Sequence, residues 1–410
     1  MIGRDENGLR SETVRRANLS AILRLLHERG PQSRSALVTR TGLTRSAIRA
    51  LIGELAAAGF VAEAPSRPMG LPGRPSPVVR VVTDRSVVLA LEIAVDSLAV
   101  AVVGLGGVVH ERIRTERSHD RSDVDEVVAD LVELTRRVRA RRSRGELPIG
   151  IGVAVVGVVR RADGLVRMAP NLGWRDEPLG DRLRAALGID APIAIANEAD
   201  LGALAELRRG AAIGAADVIF LSGEVGVGGG IVVDGRPLAG VAGYAGEVGH
   251  LVVNPDGRPC RCGSIGCWET EVGEDALLEA AGGTAGGGRR EVDAVMERAS
   301  QGEPLALAAF AQVGRWLGIG LAGLVNVFDP EVIVLGGRYA RIHPHVIGPL
   351  KMELDRRALP ASRGLVRIVT ATLRGDAPLI GAAELAIEPL LADPAAWIGP
   401  RATLAELATA

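Results

Sequence analysis

Residues 246–269 read GEVGHLVVNPDGRPCRCGSIGCWE, and this stretch is the strongest single indication of how the chain folds. It contains all three cysteines of the sequence, Cys260, Cys262 and Cys267, and His250 precedes the first of them by ten positions. Three thiolates and one imidazole make a closed, tetrahedral ligand set for zinc, which leaves no open position for catalysis. We therefore predict a structural Zn²⁺ site. Buried thiols without a metal are the alternative.

The bulk composition favours a large α/β protein. The chain has 410 residues, of which 47% are hydrophobic and only 2% aromatic, and it contains 53 glycines, as expected for aliphatic cores and many tight strand–helix turns. The first 16 residues are charged and lack the apolar segment of a secretion signal. The most apolar stretch, 87–109, is interrupted by Glu92, Asp96 and glycines, so no membrane span is expected. We predict a cytoplasmic protein, in which clustered cysteines bind metal rather than form disulfides.

The N-terminal 80 residues differ in charge from the remainder. They hold 13 arginines and 6 acidic residues, a balance of +7, although the whole chain has a net charge of −1. A basic end on an acidic body is the asymmetry expected where one end meets nucleic acid.

The same segment has the pattern of a winged helix-turn-helix. Apolar residues at helical spacing predict a helix through 19–26, followed by two helices capped by Ser33 and Thr44 and joined by a turn at Gly42. Two wing strands, at 60–61 and 78–82, flank a basic loop that could reach phosphates. The alternative is a three-helix interaction module. The side chains expected to contact DNA are Ser33, Arg34, Thr44, Arg45, Ser46, Arg49 and Arg74.

Polar residues in the body follow predicted strands. Asn197 and Glu198 stand where an apolar strand ends and a helix begins, a position well placed to contact a ligand in a crevice. A glycine-rich hairpin covers 221–230, and a helix at 326 runs into a strand that ends in Gly336 and Gly337.

Together these motifs resemble the ROK family of repressors, open reading frames and sugar kinases. The resemblance covers nearly the whole chain, and the Gly-Glu-x-Gly-His motif with the following Cys-x-Cys-Gly-x-x-Gly-Cys-x-Glu is its most specific part. It implies an actin-like, hexokinase-like (ribonuclease H-like) α/β fold of two lobes. The expected domains are a DNA-binding head at 1–83, a first lobe at 84–196 to which a C-terminal helix returns, and a second lobe at 197–395 that carries the zinc loop.

The resemblance also implies a sugar site. Matched motif by motif, the side chains that hold sugar hydroxyls are Asn197, Glu198, Glu247, His250 and Glu269. Carboxylates and amides suit hydroxyl recognition, and a wrong sugar leaves such groups unpaired. His250 would bind zinc and sugar through different nitrogens.

Departures from the kinase pattern indicate lost catalysis. Where family kinases have Asp-x-Gly-Gly-Thr to hold ATP, this chain has Glu92-Ile-Ala94-Val95-Asp96, and its second phosphate loop carries Glu224 and Val225 in place of Gly and Thr. The backbone cannot approach phosphate closely, and two carboxylates would repel it. Glu198 replaces the catalytic Asp, a change that alone proves little.

These observations predict a sugar-responsive repressor of carbohydrate genes, without enzyme activity. A homodimer or homotetramer would bind a pseudo-palindromic operator, and sugar-driven lobe closure would change its DNA affinity. The alternatives are an ATP-dependent sugar kinase with an appended head and a repressor that responds to a partner protein. The sequence does not identify the sugar, the operator or the sign of regulation.

Overall fold

The computed structural model describes residues 3–65, 76–117, 123–142, 147–224 and 226–398, with side chains from residue 11 onwards. The head is a three-helix unit with a small sheet in which β3 lies between β1 and β2. Its elements are α1 (Gly3–Arg29), β1 (Gln32–Ser33), α2 (Arg34–Thr41), α3 (Arg45–Ala57), β2 (Val61–Ala64) and β3 (Val78–Val81).

The predicted helix-turn-helix is confirmed, including the two predicted N-cap residues, Ser33 and Thr44. The Ser33 hydroxyl accepts a hydrogen bond from the backbone N–H of Ala36 at 3.1 Å, and Thr44 accepts one from Ala47 at 3.2 Å. Gly42 ends α2 in the left-handed conformation, with φ of 69°. The wing strands pair antiparallel as expected, but the strand β1 was not predicted.

The first lobe is built on a five-stranded sheet in the order β11-β7-β4-β5-β6, beside a three-stranded sheet of β8, β9 and β10. An antiparallel hairpin, β4–β5, is extended by parallel strands at the cleft side. The elements are β4 (Val87–Ile93), β5 (Ser97–Gly104), β6 (Val108–Glu116), α4 (Val124–Ala140), β7 (Ile151–Val155), β8 (Val158–Arg160), β9 (Leu165–Ala169), β10 (Trp174–Glu177), α5 (Leu179–Leu187), β11 (Ile193–Asn197) and α6 (Glu198–Arg209).

The second lobe repeats this plan with the sheet order β14-β13-β12-β15-β16. Its elements are β12 (Val218–Gly223), β13 (Val227–Val233), β14 (Arg236–Pro237), α7 (Trp268–Val272), α8 (Glu274–Ala280), α9 (Gly288–Ser300), α10 (Pro304–Phe328), β15 (Val332–Gly336), α11 (Gly337–Arg357), α12 (Pro360–Arg363) and β16 (Arg367–Thr370). The chain then continues into α13 (Ala377–Ala392), which packs on the sheet of the first lobe. Although α10 is long and apolar enough to cross a membrane, it packs in this lobe's core against α11.

Helices α6 and α13 join the lobes. A Cβ on Gly381 of α13 would come within 1.9 Å of the carbonyl oxygen of Leu201, so the two helices cross in close contact. The C-terminal helix α13 returns to the first lobe, where Ala382 lies against Gly152 of β7. The opposite side of α6 packs on the second sheet, with Ala199 against Gly230. Helix α13 therefore packs on the sheet of the first lobe, α6 packs on the sheet of the second lobe, and the two helices contact each other between the lobes.

Candidate functional site

All five side chains expected to hold sugar line one cavity between the lobes. Its volume is about 280 Å³, close to the lower end of small-molecule sites at roughly 300 Å³. The first lobe contributes the turn after β7, the loop at Asn171 and the start of α6, and the second contributes the glycine hairpin and the 246–269 loop. A cavity of this size suits a ligand the size of a monosaccharide.

Asn197 is a structural cap as well as a candidate ligand. Its Oδ1 accepts the backbone N–H of Ala199 at 2.7 Å and caps α6, while Nδ2 donates to the carbonyl of Gly157 at 2.9 Å. Because a primary amide has two N–H donors, one hydrogen on Nδ2 is left for a ligand. The side chain is thus held by both neighbouring elements before any ligand arrives.

Glu198 is a carboxyl group of the cleft whose pKa is strongly raised. Burial raises its pKa to about 8, and the nearby carboxylates of Glu224, Glu92 and Asp96 raise it further in the same direction. At neutral pH the group is therefore mostly protonated, and a protonated carboxyl can both donate to and accept from a sugar hydroxyl.

Glu247 lies close enough to the Asp200–Arg161 ion pair for Asp200 to affect its pKa, and the sequence analysis did not predict this pair. Burial raises its pKa to about 7, with Asp200 and Glu269 adding to the effect. Asp200 is 4% exposed and accepts from Arg161 at 2.7 Å, and burial outweighs that ion pair to raise its pKa to about 6. The sequence signal for Asp200 was its place in the first turn of α6, but nothing marked Arg161, which lies 39 residues away.

The predicted metal ligands form one compact cluster. The donor atoms of His250, Cys260, Cys262 and Cys267 all lie within 4.8 Å of one another. Two sulfurs bound to one tetrahedral zinc at about 2.3 Å lie about 3.8 Å apart, and Cys262 Sγ is 3.7 Å from Cys267 Sγ. The loop closes at Gly266, where a Cβ would collide with the carbonyl oxygen of Asn254 at 1.6 Å. The residues present therefore fit a tetrahedral metal ion.

This cluster touches the cavity through Glu269. The Cys260 thiol donates to Oε1 of Glu269 at 2.9 Å, and His250 Nδ1 lies 3.6 Å from the same oxygen. Because Nδ1 of His250 faces the thiols, with Cys260 Sγ at 3.7 Å, Nε2 is the nitrogen available to another ligand. Residues of the metal loop, including His250, Cys260 and Glu269, therefore also line the cavity.

Ion pairs of the protein's own side chains stand at the positions that the sequence analysis matched to the phosphate loops of family kinases. Glu92 is buried and paired with Arg114 at 2.8 Å, and Asp96 is exposed at the following turn. Arg338, 5% exposed, binds Glu274 at 2.9 Å and donates to the carbonyl oxygen of Glu224. Arg338 directly follows the Gly336–Gly337 pair and was not predicted. Val225 lies outside the described residues.

The glycine hairpin has a packing role. A Cβ at Gly229 would come within 2.2 Å of the side chain of Val248, and one at Gly230 within 2.3 Å of the carbonyl oxygen of Ala199. These glycines let α6 and the 246–250 turn lie directly on β13. Their presence therefore does not indicate a phosphate loop.

The head presents its predicted DNA-contacting residues unequally. Arg45, Ser46 and Arg49 are exposed at the start of α3. The Ser33 and Thr44 hydroxyls act as caps, and Arg34 makes two hydrogen bonds of 2.6 Å to Glu63 in the wing. Arg74 lies outside the described residues.

Comparison with known proteins places the body in a family. The sequence profile of the ROK family matches residues 88–389. The chain belongs to the ROK family.

ROK proteins similar to this chain include regulators and kinases. The xylose repressor of Caldicellulosiruptor bescii is 28% identical over 93% of this chain and 98% of its own length. A solved ROK transcriptional regulator, a homologue of Escherichia coli Mlc, covers 97% of this chain and 100% of its own, with 26% identity and a TM-score of 0.77. The glucokinase of Streptomyces coelicolor is 32% identical over 59% of this chain and 81% of its own length.

Proposed function

We propose that this chain is a cytoplasmic, sugar-responsive transcriptional repressor. One combination carries the proposal: a single chain exposes a basic recognition helix and also holds a cavity lined by hydroxyl-binding side chains. The similarity to the xylose repressor runs through head and body together, which supports this conclusion, whereas the glucokinase covers a smaller share of the chain.

The effector that this cavity supports best is a free, uncharged monosaccharide. Six carboxyl groups line it, those of Glu198, Glu224, Glu247, Glu269, Asp275 and Glu279. The two lining arginines are already paired, because Arg258 binds Glu279 and Arg261 lies 3.5 Å from Asp275. A phosphorylated or acidic sugar would therefore find both lining arginines already paired, and it would face carboxyl groups whose ionised forms repel it.

Zinc is the metal that we propose for the cluster at 250–267. Three thiolates and one imidazole favour zinc over magnesium or calcium, which prefer oxygen ligands. Zinc would fix the loop that carries Glu247, His250 and Glu269, and it supplies no open coordination position for chemistry.

Kinase activity is not part of the proposal. Asp96 and Glu224 stand at the positions matched to the phosphate loops of family kinases, where ionised carboxylates would repel phosphate, and Arg338 is engaged by Glu274 and by the backbone of Glu224. The cleft would bind sugar without transferring phosphate to it.

We further propose that two heads act together, in a homodimer or a dimer of dimers. A single head presents one recognition helix, and paired helices match a pseudo-palindromic operator with half-sites about one turn apart. Light scattering of the complex with a selected operator should give two chains per duplex for a homodimer, or four for a dimer of dimers. One chain per duplex would contradict this arrangement.

The experiment that tests the function is calorimetry followed by DNA binding. D-xylose, D-glucose, N-acetyl-D-glucosamine and their phosphates are titrated into the protein, and then AMPPNP with and without sugar. A duplex selected from a randomised library then reports DNA affinity by fluorescence anisotropy. We expect one free sugar to bind and to lower DNA affinity. Binding of AMPPNP would revive the kinase, and an unchanged DNA affinity would overturn regulation by sugar.

A further inference from the structure

Helix α6 connects the sugar site to the head. It begins at the cap Asn197 and at Glu198 in the cavity, and its 12 residues end at Arg209, about 18 Å away at 1.5 Å per residue. Residues 199–207 are buried between α13 and the second sheet. A helix packed on both sides moves as a unit, so displacement at its N-terminus is carried to its C-terminus.

At the far end, Arg209 reaches into the head. Its Nε donates to Glu384 of α13 at 2.8 Å, and Nη1 donates to the carbonyl oxygen of His27 in α1 at 2.7 Å. The side chains of His27, Glu384 and Arg209 are 0%, 4% and 14% exposed. Three elements, one from the head and two from the body, therefore meet in one buried polar cluster.

The hydrogen bonds of this cluster specify one arrangement. His27 Nδ1 accepts the backbone N–H of Gly106 at 2.9 Å, so in the neutral ring the proton is on Nε2, which lies 2.9 Å from Glu384 and also contacts Nη2 of Arg209. Burial raises the pKa of Glu384, but His27 and Arg209 together lower it to about 2. Removing any one partner leaves a buried polar group unsatisfied.

Other residues of α1 also contact α13 and the residues that follow it. Ser20 donates to the carbonyl oxygen of Leu391 at 2.7 Å, and Arg24 donates to Glu388 at 3.0 Å. Arg16 pairs with Asp393 at the outer end, and Arg208 of α6 pairs with Glu28 at the inner end. The recognition helix α3 packs in turn against α1 in a shared hydrophobic core. The head is therefore seated on the body through α1.

We infer that His27, Glu384 and Arg209 are positioning residues that transmit the state of the sugar cleft through α6 to the orientation of the DNA-binding head. The inference rests on the proposed function, in which the cleft binds sugar and the head binds DNA. A buried ionic cluster contributes little to stability compared with apolar packing, but its specific hydrogen bonds can favour one packing of two elements over another. Here the two elements are α1 of the head and the α6–α13 pair of the body. The role of this cluster is thus to make the head's position depend on α6.

The test measures coupling, which is the ratio of the DNA dissociation constants with and without saturating sugar. The probes are the selected duplex and the free sugar that gives heat in calorimetry, D-xylose or D-glucose. We expect a ratio of at least about tenfold in the unaltered protein. Arg209→Met should bring the ratio to within about twofold of unity, while sugar affinity stays within about threefold. Arg16→Met, on the same α1–α13 joint but without contact to α6, should keep the ratio.

Each outcome decides one of the two claims. If the unaltered protein shows no coupling, the proposed function fails and the inference falls with it. If coupling is present and Arg209→Met retains it, the inference alone is overturned. Hydrogen exchange on the unaltered protein covers the case in which the variant does not fold. Sugar should change the protection of residues 20–29 as well as the cleft, and an effect confined to the cleft would also overturn the inference.

Discussion

At the scale of single residues, the carboxyl groups of the cleft depend most on their surroundings. Glu198, Glu247 and Asp200 all have raised pKa values, because burial penalises the charged carboxylate; neighbouring carboxylates add to this effect at Glu198 and Glu247, and Arg161 offsets only part of it at Asp200. These carboxyl groups therefore keep protons at a pH where they would lose them in water. A ligand with several hydroxyls can replace that lost hydration.

Glu198→Gln should change how stability depends on pH. The folded pKa of about 8 lies above the unfolded value of 4.5, so the contribution to stability is complete below about pH 4.5 and is lost as the pH rises through about 8. The amide has no charge to bury, so the variant should melt at least about 2 °C higher than the unaltered protein at pH 8.5. Thermal denaturation at pH 5 and pH 8.5 checks this. Glu133→Gln, at an exposed site, should show no such pH-dependent gain, and an equal gain there would contradict the explanation.

Cys262→Ser should release the metal. A hydroxyl is a poor zinc ligand, so bound zinc should fall from about one equivalent per chain to a small fraction, as measured by metal analysis of the purified protein. Sugar affinity should fall by about tenfold or more, because His250 and Glu269 lose their fixed position. Ser264→Ala in the same loop is the matched control. Unchanged zinc content in the Cys262 variant would refute the ligand assignment.

The sequence predicted these residues to different degrees. The metal ligands were predictable because spacing and chemistry within 18 residues suffice, and their donor atoms do converge. Arg161 and Arg338 were not, because each reaches its partner only after strands and helices distant in sequence pack together. A ligand set that lies within a short segment can be predicted from its sequence, whereas the partner of one arginine among many cannot be predicted when it is distant in the chain.

At the scale of elements, α1 belongs to two domains. Its apolar stripe, including Leu19 and Ile22, was predicted from spacing and is fully buried. The polar face with Ser20, Arg24 and His27 has the composition of a solvated surface, yet it binds α13. Polar residues in a sequence do not reveal whether their partner is water or protein.

Arg49→Ala tests the exposed end of α3. Loss of one contact in a groove should cost about 1–3 kcal/mol of DNA affinity, or about 30-fold at the midpoint. Sugar affinity should not change, because the cleft and this face of α3 share no residues. Anisotropy with the selected duplex, together with calorimetry, measures both quantities. Arg137→Ala, an exposed arginine on α4, should leave DNA affinity unchanged. Equal losses in both variants would indicate only a general charge effect.

At the scale of the whole molecule, the predicted boundary at residue 83 separates the sequence motifs of the head from those of the body. In the structure, however, α1 of the head packs closely against α13 of the body. His27 is buried by Glu384 and Arg209, and α1 shares a hydrophobic core cluster with Leu379 and Ile387 of α13. The head and the first lobe are thus one packing unit, although their motifs are distinct.

A fragment containing residues 1–83 should therefore be less stable than the head within the full chain. It would expose His27 and the apolar side of α1, which the body normally covers. Circular dichroism should show reduced helix content and a broad transition below that of the full chain. A sharp transition at the same temperature would show that the head is an independent domain.

The docking of α1 on α13 also sets an order of events during protein synthesis. The head emerges from the ribosome first, but the surface on which it rests is completed only when residues 377–392 have been made. Until then, Gly152 of the first sheet also lacks the helix that covers it. A nascent chain thus carries a recognition helix without a fixed orientation until α13 has left the ribosome and packed on the first lobe.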